Sequence, residues 1–198
     1  MPTLLALDVA ILPPPDVSSR AIALSASLED ERSQGLGVGA EHLAHVTVAQ
    51  LFVRESEIEA AFERITNAVA DRPPMRLLVT GGGQSGHTVW MTIERSPDLL
   101  ALHERLMDAL RGVERQSGSA TAFFEGDARV GDVTWVTGYR LKSSLEQYTP
   151  HITLGHASAA PGIEPFAFDA STVAACHLGR FCTCRRVLRR WTLHQPAR

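Results

Sequence analysis

Two short segments of this chain repeat one pattern of side chains that could carry out acid–base chemistry. Residues 45–48 read His-Val-Thr-Val and residues 151–154 read His-Ile-Thr-Leu, one segment in each half of the chain. Both have the apolar, β-branched composition of a strand. Because alternate side chains leave a strand on the same face, we expect each histidine to stand beside its threonine, with the apolar residues pointing into a core.

The chemistry that suits this pattern is hydrolysis of a phosphodiester without a metal ion. If the two halves fold alike about a pseudo-twofold axis, His45 and His151 face each other across a cleft. One neutral histidine would take a proton from water, and the other, protonated, would give one to the departing ribose oxygen, since an unperturbed imidazole titrates at about pH 6.5. The hydroxyls of Thr47 and Thr153 would donate to phosphate oxygens. The pattern does not decide which histidine is the acid.

The paired motifs resemble the 2H phosphoesterase superfamily, which includes bacterial 2′-5′ RNA ligase-like proteins and cyclic nucleotide phosphodiesterases. Residues 148–155, Tyr-Thr-Pro-His-Ile-Thr-Leu-Gly, closely resemble its second motif, whereas the first motif continues Ala-Gln-Leu where many relatives have Phe-Leu-Gly. The resemblance implies a metal-free mechanism with no cofactor, and 2′,3′-cyclic phosphates on nucleosides or RNA ends as substrates. It also implies that His45 and His151 are catalytic and that Thr47 and Thr153 bind phosphate.

Two other functions remain open. The same histidines could cleave or form a 2′-5′ phosphodiester, because ligation is the reverse of cleavage. A nucleotide- or RNA-binding module without activity could also use this scaffold, although a pure binder would not need two proton-transfer groups. The motifs do not distinguish a mononucleotide from an oligonucleotide or an ADP-ribose derivative.

The elements that must position these residues follow an α+β pattern. Apolar runs predict strands, and amphipathic spacing after a cap or a proline predicts helices. The predicted strands cover 4–12, 43–53, 75–80, 88–94, 132–137 and 150–155, with two more inside 171–181 and 187–193, and the predicted helices start at Asp16, at a Ser56–Glu59 capping box and at Ser96. The resemblance implies a bilobal fold, with two pseudo-symmetric antiparallel sheets, outer helices and a central cleft. We therefore predict one bilobal domain over residues 1–198.

Two irregular regions of the sequence could have a function of their own. Glycines at 81–83 and 86 predict a hairpin turn, because the lysine of a phosphate-binding Walker A loop is missing. Residues 113–148 form a long irregular stretch, which is often a functional loop. Arg140 and Lys142 in it could meet a terminal phosphate or be ordinary surface charges. Its aromatic side chains could stack on a base or fill a core: Phe123, Phe124, Trp135, Tyr139 and Tyr148. We count Tyr148 as substrate-binding because it lies just before the second motif.

The remaining histidines and the cysteines are expected to be structural. Cys176, Cys182 and Cys184 lie near His177, but their spacing lacks the paired knuckles of a zinc site, so no metal is expected. His87, His156, His177 and His194 have no readable partner. His42 and His45 are three residues apart and would face opposite ways on a strand, and His103 is expected to be partly buried on its helix.

The composition is that of an ordinary globular protein, with 198 residues, 44% of them hydrophobic, and a net charge of −3. This charge does not favour tight binding to long nucleic acid. No apolar run approaches the roughly 20 residues that cross a bilayer, and the first residues lack the features of a signal peptide. We therefore expect a cytoplasmic monomer without a membrane partner. Five arginines could attract a small anion or mark a solvated strand edge: Arg180, Arg185, Arg186, Arg189 and Arg190.

Overall fold

The computed structural model describes residues 3–28 and 35–194 of the chain. The strands are β1 (Leu4–Leu12), β2 (Val46–Arg54), β3 (Met75–Ser85), β4 (Thr88–Ile93), β5 (His151–His156), β6 (Phe166–Ala170), β7 (Thr172–Leu178) and β8 (Cys184–Thr192). The helices of eight residues or more are α1 (Pro15–Ala26), α2 (Ile58–Val69), α3 (Pro97–Leu110) and α4 (Val130–Lys142). Within these described ranges, no helix is both long and apolar enough to cross a membrane.

The strands form two four-stranded sheets, with the orders β2-β1-β7-β8 and β5-β4-β3-β6. Every neighbouring pair is antiparallel, so the predicted α+β class with two antiparallel sheets is confirmed. The chain leaves the first sheet after β2, completes the whole second sheet, and returns for β7 and β8. Neither sheet therefore corresponds to one half of the sequence. The two histidine motifs belong to different sheets, and each lies at an edge strand, β2 or β5.

The alternation of side chains along β1 gives the first sheet two different faces. Leu7 and Val9 lie in the main core, which also includes the apolar sides of α2 and α3. Ala6 packs in a smaller cluster with residues of α4, and Ala10 packs in another with residues of β7 and β8. Asp8 lies between these two alanines and so shares their face of the sheet. A carboxylate is thereby placed on the side of the sheet that α4 partly covers.

The predicted helix starts are only partly correct. Ser96 caps α3, since its Oγ accepts a hydrogen bond from the backbone N–H of Leu99 at 3.4 Å. The predicted Asp16 cap is wrong because α1 begins one residue earlier, at a proline, and Asp16 lies in its first turn. The predicted capping box of Ser56 and Glu59 is also wrong, because a short 3₁₀ turn precedes α2 and neither side chain caps it.

The predicted hairpin is present, but its turn is shorter than predicted. β3 continues through the glycines at 81–83 to Ser85, and the turn consists of Gly86 and His87. Residues 79–85 of β3 pair with β4. A Cβ on Gly82 would lie 2.1 Å from the carbonyl oxygen of Pro161, and a Cβ on Gly83 would lie 2.2 Å from Nε1 of Trp90. Gly82 and Gly83 are needed because Pro161 and Trp90 pack directly against their backbone, and the turn-like composition of the segment does not reveal this role.

The predicted strand at 132–137 is wrong, because these residues lie inside α4. The β-branched and aromatic residues of this segment favour a strand locally. Tertiary contacts favour the helix instead: Val136 is buried in a cluster under the first sheet, and Val133 packs against it. At the helix start, the backbone N–H of Arg129 donates to Asp132 at 2.9 Å. The region expected to be an irregular loop therefore contains a helix that packs across β2.

The last part of the chain has one strand more than predicted. β6 was missed because it is only five residues long and a single residue separates it from β7. β8 is the outermost strand of its sheet and carries most of the clustered arginines, which agrees with a solvated strand edge. Arg189 illustrates this arrangement, since it donates to Glu59 at 3.1 Å on the surface.

Candidate active site

Both predicted catalytic histidines line one cleft of about 520 Å³ between the sheets. His45 immediately precedes β2, and His151 is the first residue of β5. Nδ1 of His45 lies 2.7 Å from the carbonyl oxygen of Leu43, and Nδ1 of His151 lies 2.7 Å from that of Thr149. A carbonyl oxygen only accepts, so Nδ1 carries the proton in each neutral ring. In both rings Nε2 is the nitrogen that remains for proton exchange with a ligand.

A β-bulge follows the threonine in both motifs. The register shifts between β1 and β2 leave Val48 without an opposite residue, directly after Thr47. The shift between β4 and β5 does the same for Leu154, directly after Thr153. As predicted, the branched residue between each histidine and threonine is buried. A bulge changes the direction of the side chains beside it, and in both motifs the bulge lies at the equivalent residue, directly after the threonine.

The carbonyl groups at the two bulges are each paired with a side chain from a helix. Nδ1 of His103, on α3, donates to the carbonyl of Val48 at 2.6 Å, while its Nε2 accepts from the N–H of Leu145 at 2.8 Å. The hydroxyl of Ser25, on α1, donates to the carbonyl of Leu154 at 2.6 Å. Burial lowers the pKa of His103, in agreement with a neutral ring. His103 is therefore structural, as predicted, and it holds the backbone of the first motif.

A hydrogen-bonded chain surrounds the first motif and ends on the fully buried carboxylate of Asp8. Oδ2 of Asp8 accepts from the hydroxyl of Thr47 at 2.8 Å and from Nε2 of Gln50 at 2.7 Å. The indole N–H of Trp135 donates to Oε1 of Gln50 at 3.0 Å. Nε2 of His45 lies 3.7 Å from Oδ2 of Asp8. The first histidine thus has a carboxylate partner, and its threonine already donates its only hydroxyl proton.

Asp8 and Gln50 are the functional candidates that sequence reasoning missed. Asp8 is the one charged residue in the apolar run 4–12, and a lone carboxylate in a buried strand is a signal that could have been followed. Gln50 is three residues after Thr47, so simple alternation places the two on opposite faces. The bulge at Val48 brings them to the same face, which the sequence does not reveal.

The second motif lacks an equivalent of this chain. Within the described residues, the hydroxyl of Thr153 makes no hydrogen bond, so it is available as a donor. The ring of His151 lies against the indole of Trp90, with centroids 5.1 Å apart. Within the same part of the chain, no carboxylate lies within ion-pair distance of His151. The two motifs therefore share a backbone geometry and differ in their electrostatic surroundings.

Burial shifts two pKa values in directions that matter for acid–base chemistry. Desolvation raises the pKa of the Asp8 carboxyl above its usual 3.8, although His45 and the hydrogen bonds from Gln50 and Thr47 act in the opposite direction. Desolvation lowers the pKa of His151 from its usual 6.5, against the effect of its backbone hydrogen bond, and charge on His45 lowers it further. His151 is therefore biased towards the neutral form.

Tyr148 joins the two motifs across the cleft. Its hydroxyl donates to the carbonyl oxygen of Thr47 at 2.8 Å, and its ring stacks on His103 with centroids 3.9 Å apart. Only 2% of the residue is exposed, although it lines the cleft. Its hydroxyl proton is already used in this hydrogen bond, so the hydroxyl cannot also donate to a ligand while that bond lasts. Its predicted role in substrate binding stays a prediction.

One wall of the cleft is a strained turn between β7 and β8. Phe181 and Cys182 have φ values of 62° and 54°, a region that side chains other than glycine rarely adopt. The N–H of Phe181 donates to Asp132 at 3.1 Å, and the guanidinium of Arg129 lies 3.8 Å from the centre of its ring. Asp132 thus holds both the turn and the start of α4. The ring of Phe181 and the guanidinium of Arg129, which also pairs with Asp132 at 2.7 Å, both line the cleft.

The other aromatic residues of the predicted loop lie in different places. Trp135 and Tyr139 line the cleft, and Trp135 is 49% exposed. Phe123 is buried in a small core cluster, and Phe124 packs edge-on against His177. Arg140 pairs with a glutamate and a backbone carbonyl away from the cleft, which agrees with a structural charge rather than a phosphate ligand.

The cysteines do not form a zinc site with His177. The ring of His177 instead lies 3.0 Å from the carbonyl of Ala122 through Nε2, and all three thiols are free. Within residues 3–28 and 35–194, the side chains brought together with metal-ligand geometry are Asp8, His45 and Cys184. Their ligand atoms all lie within 4.8 Å of one another.

Comparison with known proteins identifies a family and a shared fold. The family model described as the 2′-5′ RNA ligase superfamily matches residues 13–174. No curated protein sequence matches the chain. A solved structure described only as a phosphoesterase is 22% identical and superposes with a TM-score of 0.64, covering 96% of this chain and 99% of the other.

Two further solved structures have the same fold. E. coli LigT in complex with phosphate is 21% identical, with a TM-score of 0.62 over 98% of this chain and 99% of its own. TT0787 of Thermus thermophilus is 17% identical, with a TM-score of 0.61 over 96% and 98% of the two chains. At these identities the likeness establishes the architecture, and the family match establishes the relationship.

Proposed function

We propose, because the chain belongs to the 2′-5′ RNA ligase superfamily of 2H phosphoesterases, that it hydrolyses a 2′,3′-cyclic phosphate on a nucleotide or an RNA end. The product would be a phosphomonoester. The observation that carries this proposal is that His45 and His151 are oriented in the same way and line the same cleft. Each ring is fixed by a backbone carbonyl through Nδ1, and each keeps Nε2 for one shared cleft. Paired imidazoles of this kind suit a reaction in which one proton is removed as another is supplied.

The reaction needs one water molecule and no other reactant. His151 removes a proton from this water as its oxygen attacks phosphorus. The bond from phosphorus to one ribose oxygen breaks, and His45 gives its proton to that oxygen. The ring opens to a phosphomonoester beside a free hydroxyl, and the proton on His151 returns to His45 through solvent. Thr153 donates its hydroxyl to a non-bridging oxygen, where negative charge develops.

The surroundings of the two rings support this division of roles. A protonated His45 lies 3.7 Å from the carboxylate of Asp8, so its positive charge has a partner. His151 has its pKa lowered by burial, and a further positive charge on His45 acts in the same direction. A general base must be neutral before the reaction and a general acid must be protonated. The acid role therefore falls to His45 and the base role to His151.

The substrate class is consistent with ligands of solved relatives. The solved structures of E. coli LigT include complexes with phosphate, 3′-AMP, ATP and NADP⁺. In this chain the exposed indole of Trp135 and the ring of Phe181 line the same cleft as the histidines. An aromatic face can stack on any base, so these side chains favour a nucleotide without selecting one.

The decisive experiment is hydrolysis of the four 2′,3′-cyclic nucleotides with EDTA present. We expect turnover by the native protein and none by the double variant His45→Ala/His151→Ala. His87→Ala is the matched control, because this histidine is exposed in the β3–β4 turn outside the cleft. Phosphorus NMR of the product then identifies the ester bond that breaks. Loss of native turnover on adding EDTA would contradict a metal-free reaction.

A second candidate is cleavage or ligation of a 2′-5′ phosphodiester, which the description of the family itself favours. The same histidines would act, with a ribose hydroxyl in place of water for ligation. Absence of turnover on all four cyclic nucleotides, together with cleavage of a 2′-5′-linked oligonucleotide, would select this candidate. Binding of either compound without any turnover would indicate a non-catalytic module.

A further inference from the structure

We propose that Asp8, His45 and Cys184 form a binding site for a thiophilic divalent cation such as Zn²⁺, and that occupation of this site reversibly inhibits the enzyme. Their ligand atoms all lie within 4.8 Å of one another. The inhibitory part of this proposal rests on the proposed function, because it requires His45 to act in proton transfer. The binding part does not depend on it.

The backbone holds the three side chains together on the cleft side of the first sheet. The N–H of Leu43 donates to the carbonyl of Cys184 at 3.0 Å, which fixes the segment before His45 against the start of β8. Asp8 is central in the sheet, on β1, between β2 and β7. Nδ1 of His45 is occupied by a backbone carbonyl, so Nε2 is the nitrogen available to a metal. In metal sites, a hydrogen bond from the ring nitrogen that does not bind the metal commonly orients the histidine ligand.

The carboxylate of Asp8 keeps unused acceptor capacity on the oxygen that does not bind Thr47 and Gln50. Asp8 is fully buried, and within the described residues its Oδ1 has no hydrogen-bond partner. A buried anion with a free oxygen is costly unless positive charge lies nearby. His45 supplies such a charge only when it is protonated. A divalent cation between Asp8 and His45 would supply it at any pH at which the imidazole is neutral.

The chemistry and spacing of the three groups suit Zn²⁺. Zinc takes sulfur, imidazole nitrogen and carboxylate oxygen as ligands at about 2.0–2.3 Å in a tetrahedral arrangement. Tetrahedral ligands at these bond lengths are about 3.3–3.8 Å apart. Nε2 of His45 and Oδ2 of Asp8 are 3.7 Å apart, so a nitrogen and an oxygen ligand would have to close by only a few tenths of an ångström. Oδ2 already accepts from Thr47 and Gln50, so the metal either displaces one of these hydrogen bonds or binds Oδ1. Three protein ligands leave a fourth position for water or for a phosphate oxygen.

Binding of the metal requires a balanced loss of protons. Burial raises the pKa of the Cys184 thiol, so Cys184 is a thiol before the metal binds. Zn²⁺ displaces this proton to solvent as the Zn–S bond forms, and it also replaces any proton on Nε2 of His45. Affinity should therefore increase with pH. Once bound, the cation occupies the nitrogen that gives a proton to the leaving group, and turnover stops.

The test separates metal binding from catalysis by using Co²⁺ as a spectroscopic probe. We expect the EDTA-treated protein to develop a thiolate-to-cobalt charge-transfer band when Co²⁺ is added. Cys184→Ala should lose this band, and Cys182→Ala should keep it. Cys182 is the matched control because it lines the cleft but is not one of the three clustered ligands. Circular dichroism and melting curves establish that both variants fold, and Cys184→Ser provides a second variant with the shape of the native side chain.

Inhibition is then measured by titrating Zn²⁺ against hydrolysis of a 2′,3′-cyclic nucleotide. Each variant is compared with its own activity in EDTA. Cys184→Ala should need at least about tenfold more Zn²⁺ for half inhibition, because one of three ligands is lost. A charge-transfer band retained in folded Cys184→Ala, or absent from the native protein, would overturn the site. Zn²⁺ binding without inhibition of an active enzyme would overturn His45 as a ligand. Failure of the EDTA-treated protein to turn over any substrate would count against the proposed function, while the Co²⁺ spectra still decide the metal site.

Discussion

The first histidine motif, on β2, and the second, on β5, have closely similar backbones and unlike surroundings. Both histidines are held by the carbonyl two residues earlier, and both threonines are followed by a bulge. Around the first motif, Asp8 accepts the hydroxyl proton of Thr47 and lies near His45. Around the second, the hydroxyl of Thr153 is available and an indole covers His151. The similar backbones supply two equivalent nitrogens, and the neighbouring side chains make the two sites chemically different.

The largest expected effect is the loss of either histidine. His45→Ala and His151→Ala should each reduce kcat by about 10²–10⁴-fold, because each removes a general acid or base. The pH–rate profiles should then separate the two roles. His151 acts only when neutral, so native activity should fall as the pH decreases through its pKa, which burial places below 6.5. The acidic limb should disappear in His151→Ala and persist in His45→Ala. The opposite pattern would reverse the assignment.

The two threonines should differ more than their shared motif suggests. Thr153→Ala should reduce kcat/KM by about tenfold to a hundredfold, because it removes a hydroxyl donor to the phosphate. Thr47→Ala should reduce it less, since that hydroxyl already donates to Asp8 at 2.8 Å. Steady-state kinetics of both variants, with Thr153→Ser as the control that keeps a hydroxyl, makes the comparison direct. Equal losses would indicate that Thr47 releases Asp8 when substrate binds.

Asp8→Asn tests the feature that only the first motif has. Loss of the carboxylate beside His45 should lower kcat by about tenfold, because the charged form of the general acid loses its nearby negative partner. Asparagine keeps an oxygen that can accept from Thr47, so the change is mainly one of charge. Unchanged kcat over the whole pH profile would remove Asp8 from the mechanism.

The same substitution should increase stability near neutral pH. Burial holds the pKa of Asp8 above 3.8, so the folded chain keeps this proton to a higher pH than the unfolded chain. The contribution of this group to the free energy of unfolding is therefore fully present below the pKa of Asp8 in the unfolded chain. It is lost as the pH rises through the pKa of Asp8 in the folded chain. Asp8→Asn should melt at a higher temperature than the native protein near neutral pH, and the difference should shrink as the pH approaches 3.8. Lower thermal stability of Asp8→Asn at neutral pH would show that the charged carboxylate of Asp8 stabilises the folded protein.

The smallest effect is expected at the outer end of the hydrogen-bonded chain. Trp135→Phe removes the N–H that donates to Gln50 at 3.0 Å and keeps an aromatic face in the cleft. Loss of one hydrogen bond of about 1 kcal/mol should reduce kcat by roughly threefold to fivefold. Trp135→Ala should add an increase in KM if the indole stacks on the base. Identical KM values in the two variants would place base recognition elsewhere in the cleft.

Several predictions from sequence were confirmed because they depend on local rules. Alternation along a strand correctly placed the residues between each histidine and threonine in the core, and the Ser96 cap was inferred from its position before a proline. The two-sheet fold was inferred from the resemblance that the motifs carry. By contrast, residues 132–137 have strand-like composition and form helix, since packing under the first sheet outweighs local preference. The glycines of β3 were wrongly predicted as a turn because their close contacts come from Pro161 and Trp90, which are not their neighbours along the chain.

Residue types two positions apart are enough to predict two imidazoles, each beside a threonine on one face of a strand. This part of the site needs no partner from elsewhere in the chain. The difference between the motifs depends on tertiary contacts, because Asp8 reaches Thr47 and His45 through the pairing of β1 with β2. The approach of Cys184 to this group depends in the same way on β8 returning to the first sheet from the end of the chain. Contacts of this kind are set by strand order and bulges, and neither can be read from the spacing of residues along the chain.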